Sequence, residues 1–276
     1  GVTPAQPFWQ QKALIALERM VGRITTHWVA VSQADRRQGI EWGLFTASKV
    51  SVVRPGIDPT AFAARIESPE RDRLRAMLGV APDQLLVGTV SCLKPQKSPE
   101  DFVRVAALVC QRVPAARCVL VGDGALRPNV EALLLAQGLQ DRVTLLGWRR
   151  DVAALLKAFD VFVLTSQWEG LPCAILEARA SRIPIVATRV GGAAEAIVEG
   201  IQGTLCPAGD VRAMAERVCQ ILEDERFRVD LRTGTQELPE EFTIQETLKQ
   251  YQSLYAYLLH ATRPSEDVMK LQPNRL

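Results

Sequence analysis

The chain has 276 residues, enough for one large domain or two small ones. Hydrophobic residues make up 47% and charged residues 23%, ordinary values for a globular protein with a sizeable core. With 33 basic and 31 acidic residues the net charge is +2, which gives no electrostatic reason to expect nucleic acid as a partner.

In chain order, residues 8–22 (FWQQKALIALERMVG) place Leu14, Leu17 and Val21 at helical spacing. This helix has two readings, a core element or a membrane contact, and the core reading is favoured. HWVAVS then reads as a buried strand, Ser32 can cap a helix to about Leu44, and KVSVVRPG is a strand ended by Pro55 and Gly56. The first 57 residues thus form an α/β unit with too few strands for a sheet of its own. After Asp58 the texture turns polar, through IDPTAFAARIESPERDRLRAMLGVAPDQ, and reads as a linker with a short helix. A domain boundary falls there.

From Leu85 strands and helices alternate. LLVGTVS, RCVLVG, RVTLLG, DVFVLTS, PIVAT and GTLC read as strands, short, β-branched and apolar. Ser98-Pro99-Glu100-Asp101 opens the first intervening helix, with Ser98 as its cap. Others are expected near 125–137 and 150–158, from Pro172, from about Gly192, and after Asp210. A final helix spans about 243–260. Such alternation implies parallel pairing with right-handed crossovers, a doubly wound α/β domain.

Ligands of such sheets bind beyond the carboxyl ends of the strands. After LLVGTVS, Lys94 and Lys97 converge with a helix start to make a phosphate site; read plainly, they are two solvated surface lysines. Gly122-Asp123-Gly124 hints at a dinucleotide fingerprint, but Arg127 stands where the third glycine should fall, so a tight turn is the better reading. Trp148, before Arg149, either stacks on a base or covers the sheet end.

The fourth loop, EGLPCAILEA, carries Glu169 and Glu177. Gly170 permits close backbone approach, Pro172 suits the first helical position, and amides near Leu171 and Cys173 face the cleft. Near the helix start, Glu177 gains about 0.3–1 kcal/mol from the dipole. Flanked by Ile175, Leu176 and Ala178, it is not on a fully wet face, and burial without donors costs several kcal/mol. Ribose hydroxyls are suitable donors, at about 1.5–3 kcal/mol for each charged hydrogen bond. Glu169 can meet hydroxyls of a second sugar.

EGLPCAILE resembles the E-x7-E motif of retaining glycosyltransferases of the two-Rossmann-domain GT-B fold, in the large family 4 group. VGDG, VTLLGWRRDVAALLKAFDVFVLTSQWEG and PIVATRVGGAAEAI resemble successive blocks of that family. VAVSQADRRQGIEWGLFTASKVSVVRPGID resembles the end of the N-terminal domain and the interdomain linker. The resemblance covers roughly Phe8 to Asp210.

The resemblance implies that residues 1–57 are the last part of an N-terminal, acceptor-binding Rossmann-like domain and 58–240 the nucleotide-sugar donor domain. It makes 241–262 a crossover helix returning to the N-terminal domain, with 263–276 as a flexible tail. Donor-site residues then include Lys94, Lys97, Gly122, Trp148, Arg149, Glu169, Gly170, Leu171, Pro172, Cys173 and Glu177. Glu177 holds the ribose, Glu169 the transferred sugar and Lys97 the diphosphate; Lys97 and Glu169 are the catalytic pair. Cys92 stands where the family has an arginine, and Lys94 is its substitute.

The reaction implied is a retaining transfer to a carbohydrate or lipid-linked acceptor, without a protein nucleophile, metal or cofactor, and no D-x-D occurs in the chain. The rest of the N-terminal domain is an implied partner, and envelope or polysaccharide biosynthesis the implied setting. Three other classes stay open: a nucleotide-sugar-binding module without turnover, a GT-B sugar-nucleotide epimerase, and a glycosidase. Six cysteines without a CxxC pair suit a reducing compartment. No apolar run reaches the about 18 residues of a spanning helix, and GVTPAQPFWQQ lacks the pattern of a signal peptide. A cytoplasmic location, or one at the inner membrane face, is therefore expected.

Overall fold

The computed structural model describes residues 2–3, 5–63, 68–234 and 238–262. The first part runs α1 (Phe8–Ile24), β1 (Trp28–Ala30), α2 (Gln33–Glu41) and β2 (Val50–Val52), with β1 and β2 paired in parallel. Ser32 caps α2 by accepting from the Asp35 amide at 3.0 Å, as expected, but α2 ends at Glu41 rather than near Leu44. The core reading of α1 fails: none of its residues is buried, and Phe8, Trp9, Met20 and Ile24 are exposed. Two strands offer too little surface to cover a helix of this length. Among the described residues no helix is long and apolar enough to cross a membrane.

Two helices, α3 (Thr60–Ala63) and α4 (Ser68–Met77), replace the linker and single helix expected next. The segment is polar and reads as a linker, yet Arg75 is only 5% exposed.

A six-stranded parallel sheet follows: β3 (Leu85–Val90), α5 (Pro99–Arg112), β4 (Ala116–Val121), α6 (Arg127–Ala136), β5 (Val143–Gly147), α7 (Val152–Ala158), β6 (Val161–Leu164), α8 (Cys173–Ala180), β7 (Ile185–Thr188), α9 (Ala193–Ala196) and β8 (Gly203–Cys206). The helices α10 (Val211–Glu223), α11 (Glu225–Gly234) and α12 (Ile244–Thr262) complete the chain; α11 was not anticipated. Asp210 caps α10 by accepting from the Ala213 amide at 3.0 Å. The tail expected at 263–276 lies outside the described residues.

Period-two alternation sends neighbouring strand residues to opposite faces. Val87, Leu120 and Val163 pack with Phe102, Val109, Val130 and Val218 on one side. Leu86, Val119 and Phe162 pack with Leu155, Leu156, Ile175 and Leu176 on the other. Both faces are covered by helices, as an all-parallel sheet requires.

The strand order is β5-β4-β3-β6-β7-β8. Winding reverses between β3 and β6, so a crevice opens beyond their carboxyl ends, the usual ligand position in such sheets. α12 returns to the first part of the chain: the Ile244 amide donates to Ile57 O at 2.9 Å, and Thr247 Oγ1 donates to Arg54 O at 2.9 Å.

Candidate functional site

At the switch point, the loops after β3 and β6 are stapled together. Thr165 Oγ1 donates to the carbonyls of Lys97 (3.0 Å) and Ser98 (2.9 Å), and the Gln167 amide donates to Gln96 O at 2.7 Å. Ser98 sits before α5 as expected but does not cap it with its side chain. Its φ is +46°, and its hydroxyl donates to Asp101 Oδ2 at 2.7 Å. The left-handed turn aims that hydroxyl at a carboxylate instead of the helix amides.

This stapling sets Lys97 against Glu169. Lys97 Nζ forms an ion pair with Glu169 Oε1. Ser166 Oγ, fully buried, donates to the same oxygen at 2.6 Å, and Gln96 Nε2 reaches Oε2 at 3.3 Å. Glu169 is only 9% exposed, and these donors satisfy its buried oxygens. Sequence reasoning missed Ser166 and Gln96; their one signal was a position at a strand end facing the switch point.

Glu177 is placed differently. Pro172 is the N-cap of α8 rather than its first residue, because its ψ of 108° is extended and the helix begins at Cys173. Glu177 therefore lies in the second turn. It is half-buried, and among the described residues no donor reaches its carboxylate. Burial pushes its carboxyl above the usual glutamate value. Burial also raises the neighbouring Cys173 thiol, with the Glu177 charge adding to the effect.

The loop after β7 supports this arrangement from behind. A Cβ on Gly191, whose φ is +47°, would stand 1.8 Å from Glu169 O, and one on Gly192 would stand 2.3 Å from Gly170 O. The Gly192 amide donates to Gly170 O at 2.6 Å. Only glycine permits such contact, and the adjacent glycines after a strand were the available signal.

The remaining predicted residues share this edge of the sheet without joining the Lys97–Glu169 group. Gly122 makes the expected tight turn, with φ +132° and a Cβ position 2.0 Å from Ser91 O, so it lets the loop after β4 lie on the loop after β3. Trp148 is 69% exposed and therefore does not cover the sheet end. Arg149 is held at the surface by Asp151, with contacts of 2.8 and 2.6 Å. Lys94 is exposed, Cys92 partly so, and Leu171 and Pro172 are buried.

The first part of the chain closes one side of the site. Glu195 of α9 accepts from the amides of Gln33 (3.1 Å) and Ala34 (2.8 Å) and from Arg54 Nη2 (2.9 Å), holding the start of α2 to the larger sheet. Between the two parts lies a cleft of about 810 Å³, lined by Asp35, Gln38, Trp42, Trp168, Glu169 and Gly170. Burial raises the Asp35 carboxyl, opposed by its Ser32 hydrogen bond and assisted by the Glu195 charge.

This geometry has relatives. The chain is 28% identical over 242 residues to the UDP-Gal:alpha-D-GlcNAc-diphosphoundecaprenol alpha-1,3-galactosyltransferase of Escherichia coli, covering 87% of this chain and 62% of that protein. It is 31% identical over 184 residues to the N-acetyl-alpha-D-glucosaminyl L-malate synthase of Bacillus anthracis, covering 66% of this chain and 48% of that protein. The chain thus spans about half to three fifths of these relatives' lengths. Among solved structures, Anabaena HepE in complex with UDP and glucose matches with a TM-score of 0.79 and 26% identity, over 89% of this chain and 67% of that one. Sucrose-phosphate synthase from Thermosynechococcus elongatus matches with a TM-score of 0.79 and 25% identity, over 94% and 65%. The architecture is of the GT-B type, with a six-stranded doubly wound domain and part of a second Rossmann-like one. Residues 70–238 match the family of glycosyl transferases group 1, and the chain belongs to that family.

Proposed function

We propose that this chain provides the donor side of a retaining glycosyltransferase, which moves a sugar from a nucleoside diphosphate sugar to an acceptor hydroxyl. The observation that carries the reading is Glu177: a half-buried carboxylate without a donor among the described residues, at the topological switch point, a turn and a half into α8. Paired ribose hydroxyls supply the missing donors.

Lys97 then faces the diphosphate and Glu169 the transferred sugar. In the ligand-free chain these two side chains neutralise each other. An arriving diphosphate competes for Lys97, while Ser166 and Gln96 keep Glu169 in place. As the bond between the sugar C1 and the diphosphate oxygen breaks, negative charge grows on the diphosphate. Lys97 stabilises it by up to about 4 kcal/mol at an effective dielectric of 20, and the amide end of α8 by up to about 2 kcal/mol. The acceptor oxygen bonds to C1 on the face the diphosphate leaves, and its proton passes to the departing diphosphate. No protein nucleophile enters this scheme. Lys94 supplies the second cation that Cys92 does not, and Trp148, exposed on the same edge, stacks on the base.

HepE was solved with UDP, and the name of the E. coli relative specifies a UDP-sugar donor, so uridine is the first base to test. That same name specifies a lipid-diphosphate acceptor, which supports a lipid-linked acceptor lodged in the cleft beside Asp35 and Trp42.

Calorimetric titration with UDP, GDP and ADP, on the chain and on its Glu177→Ala and Lys97→Ala variants, tests the reading. One nucleotide should bind, and both substitutions should weaken it. A folded chain that binds none of the three, alone or joined to the missing length of its relatives, overturns the assignment. Release of free UDP and sugar without transfer would favour an epimerase.

A further inference from the structure

At the opposite edge of the larger sheet, before the first residues of its strands, cations crowd around a single carboxylate. Asp160 immediately precedes β6 and is 5% exposed. Its Oδ2 accepts from the Leu86 amide at 2.8 Å and from Arg75 Nη1 at 2.9 Å. Its Oδ1 accepts from Arg71 Nη2 at 2.8 Å and from Arg232 Nη2 at 3.4 Å. Three guanidinium groups thus share one negative charge. Burial disfavours the charged form of Arg232; Asp160 opposes that effect, and repulsion from Arg71, Arg228 and Arg75 adds to it.

The surplus charge opens onto a cavity of about 310 Å³, lined by Arg71, Lys157, Arg182, Arg232, Phe62 and Phe159 among others. No carboxylate lines it among the described residues. Among the described residues, the ammonium of Lys157 and the guanidinium of Arg182 have no hydrogen-bond or ion-pair partner. The hydroxyl of Ser181, also in the lining, is buried without a partner. Arg182 itself has a φ of +55°, just past the C-cap of α8. Glycine fills such a position at least cost, and side chains held there against strain gather at functional sites.

We infer that this cavity is an anion site, distinct from the donor cleft and across the sheet from it, for a small phosphorylated organic molecule. Lys157, Arg182 and the unengaged edges of Arg71 and Arg232 take the phosphate, and the organic part lies on the partly exposed Phe62. The volume is at the lower end of the about 300–1,000 Å³ of small-molecule sites, and guanidinium forks suit phosphate oxygens. A phospholipid headgroup presents the same chemistry from a different source.

The test titrates inorganic pyrophosphate into the chain, the Lys157→Ala/Arg182→Ala double variant, Arg182→Gly and Lys97→Ala. Neither Lys157 nor Arg182 holds Asp160 through its side chain, so the double variant should melt at the wild-type temperature. One binding event should persist in Lys97→Ala and weaken at least about tenfold in the double variant. Arg182→Gly should melt higher, because the backbone relaxes, yet bind more weakly; a merely structural arginine would not separate the two. Binding within twofold of wild type in the double variant overturns the inference, as does loss of all binding in Lys97→Ala. Sedimentation with phosphatidylglycerol but not phosphatidylcholine vesicles, without pyrophosphate binding, would replace the free ester with a headgroup.

Discussion

Asp160 and Glu177 flank the same strand, one just before β6 and the other in the helix that follows it, and their surroundings are opposite. Asp160 lies within reach of three arginines and a backbone amide. Burial alone would raise its carboxyl, but those groups outweigh burial and hold it below the usual aspartate range. Glu177 is less deeply placed, yet it has no protein donor among the described residues, and burial pushes it upward unopposed. One carboxylate has more compensation than it needs and fixes the fold. The other has none among the described residues, and the proposed ribose contact would supply it. Both proposed sites therefore rest on an imbalance of charge rather than on burial: at one edge an anion is short of donors, at the other cations are short of an anion.

The contrast breaks first at Asp160. Its replacement by Ala strands the buried Arg75 and frees the Leu86 amide, at a cost of about 3–5 kcal/mol, which a urea titration would show as a lower midpoint. If Asp160→Ala unfolds like wild type, the cluster is not structural. Glu177→Gln should leave that midpoint unchanged or slightly higher, because it removes a desolvated charge. It should weaken UDP about 10- to 100-fold, the loss of about 1.5–3 kcal/mol of charged hydrogen bonding. Equal UDP affinity in the two proteins would mean that Glu177 is merely tolerated. Gly191→Ala tests the packing behind Glu169. A Cβ 1.8 Å from Glu169 O, at a positive φ, forces the loop to move. We expect about 1–3 kcal/mol of destabilisation, together with weaker UDP binding.

Much of this was legible in the sequence. The six strands of the larger sheet follow from short apolar runs separated by helices, and the E-x7-E stretch places Glu169 and Glu177 at the switch point. Three features were not legible. The segment holding α4 reads as a polar linker with a short helix, and nothing local shows that its arginines pair with Asp160, more than eighty residues away. The direct pairing of Lys97 with Glu169 depends on how two distant loops are stapled by Thr165 and Gln167, which no local pattern encodes. The apolar stripe of α1 suggested a core, yet the two-stranded sheet offers little to bury it. Periodicity reveals that a face is apolar, not what covers it.

The finest test of the contrast is its dependence on pH. The folded-state value for Glu177 is raised above its usual 4.5, so the folded chain holds this proton more tightly than the unfolded one. The stability it contributes is therefore complete below 4.5 and is lost as pH rises through the raised folded value. Ribose hydroxyls donate to the ionised form, so UDP affinity should move the other way, tightening over the same window. Because only the one proton is linked, affinity changes by at most about tenfold per pH unit within that window. The terminal phosphate of UDP titrates in an overlapping range, so the decisive quantity is the difference between wild type and Glu177→Gln. A slope that survives in the Gln variant belongs to the phosphate. A slope that disappears belongs to Glu177, and it would show that the proton leaves this carboxyl when the ribose arrives.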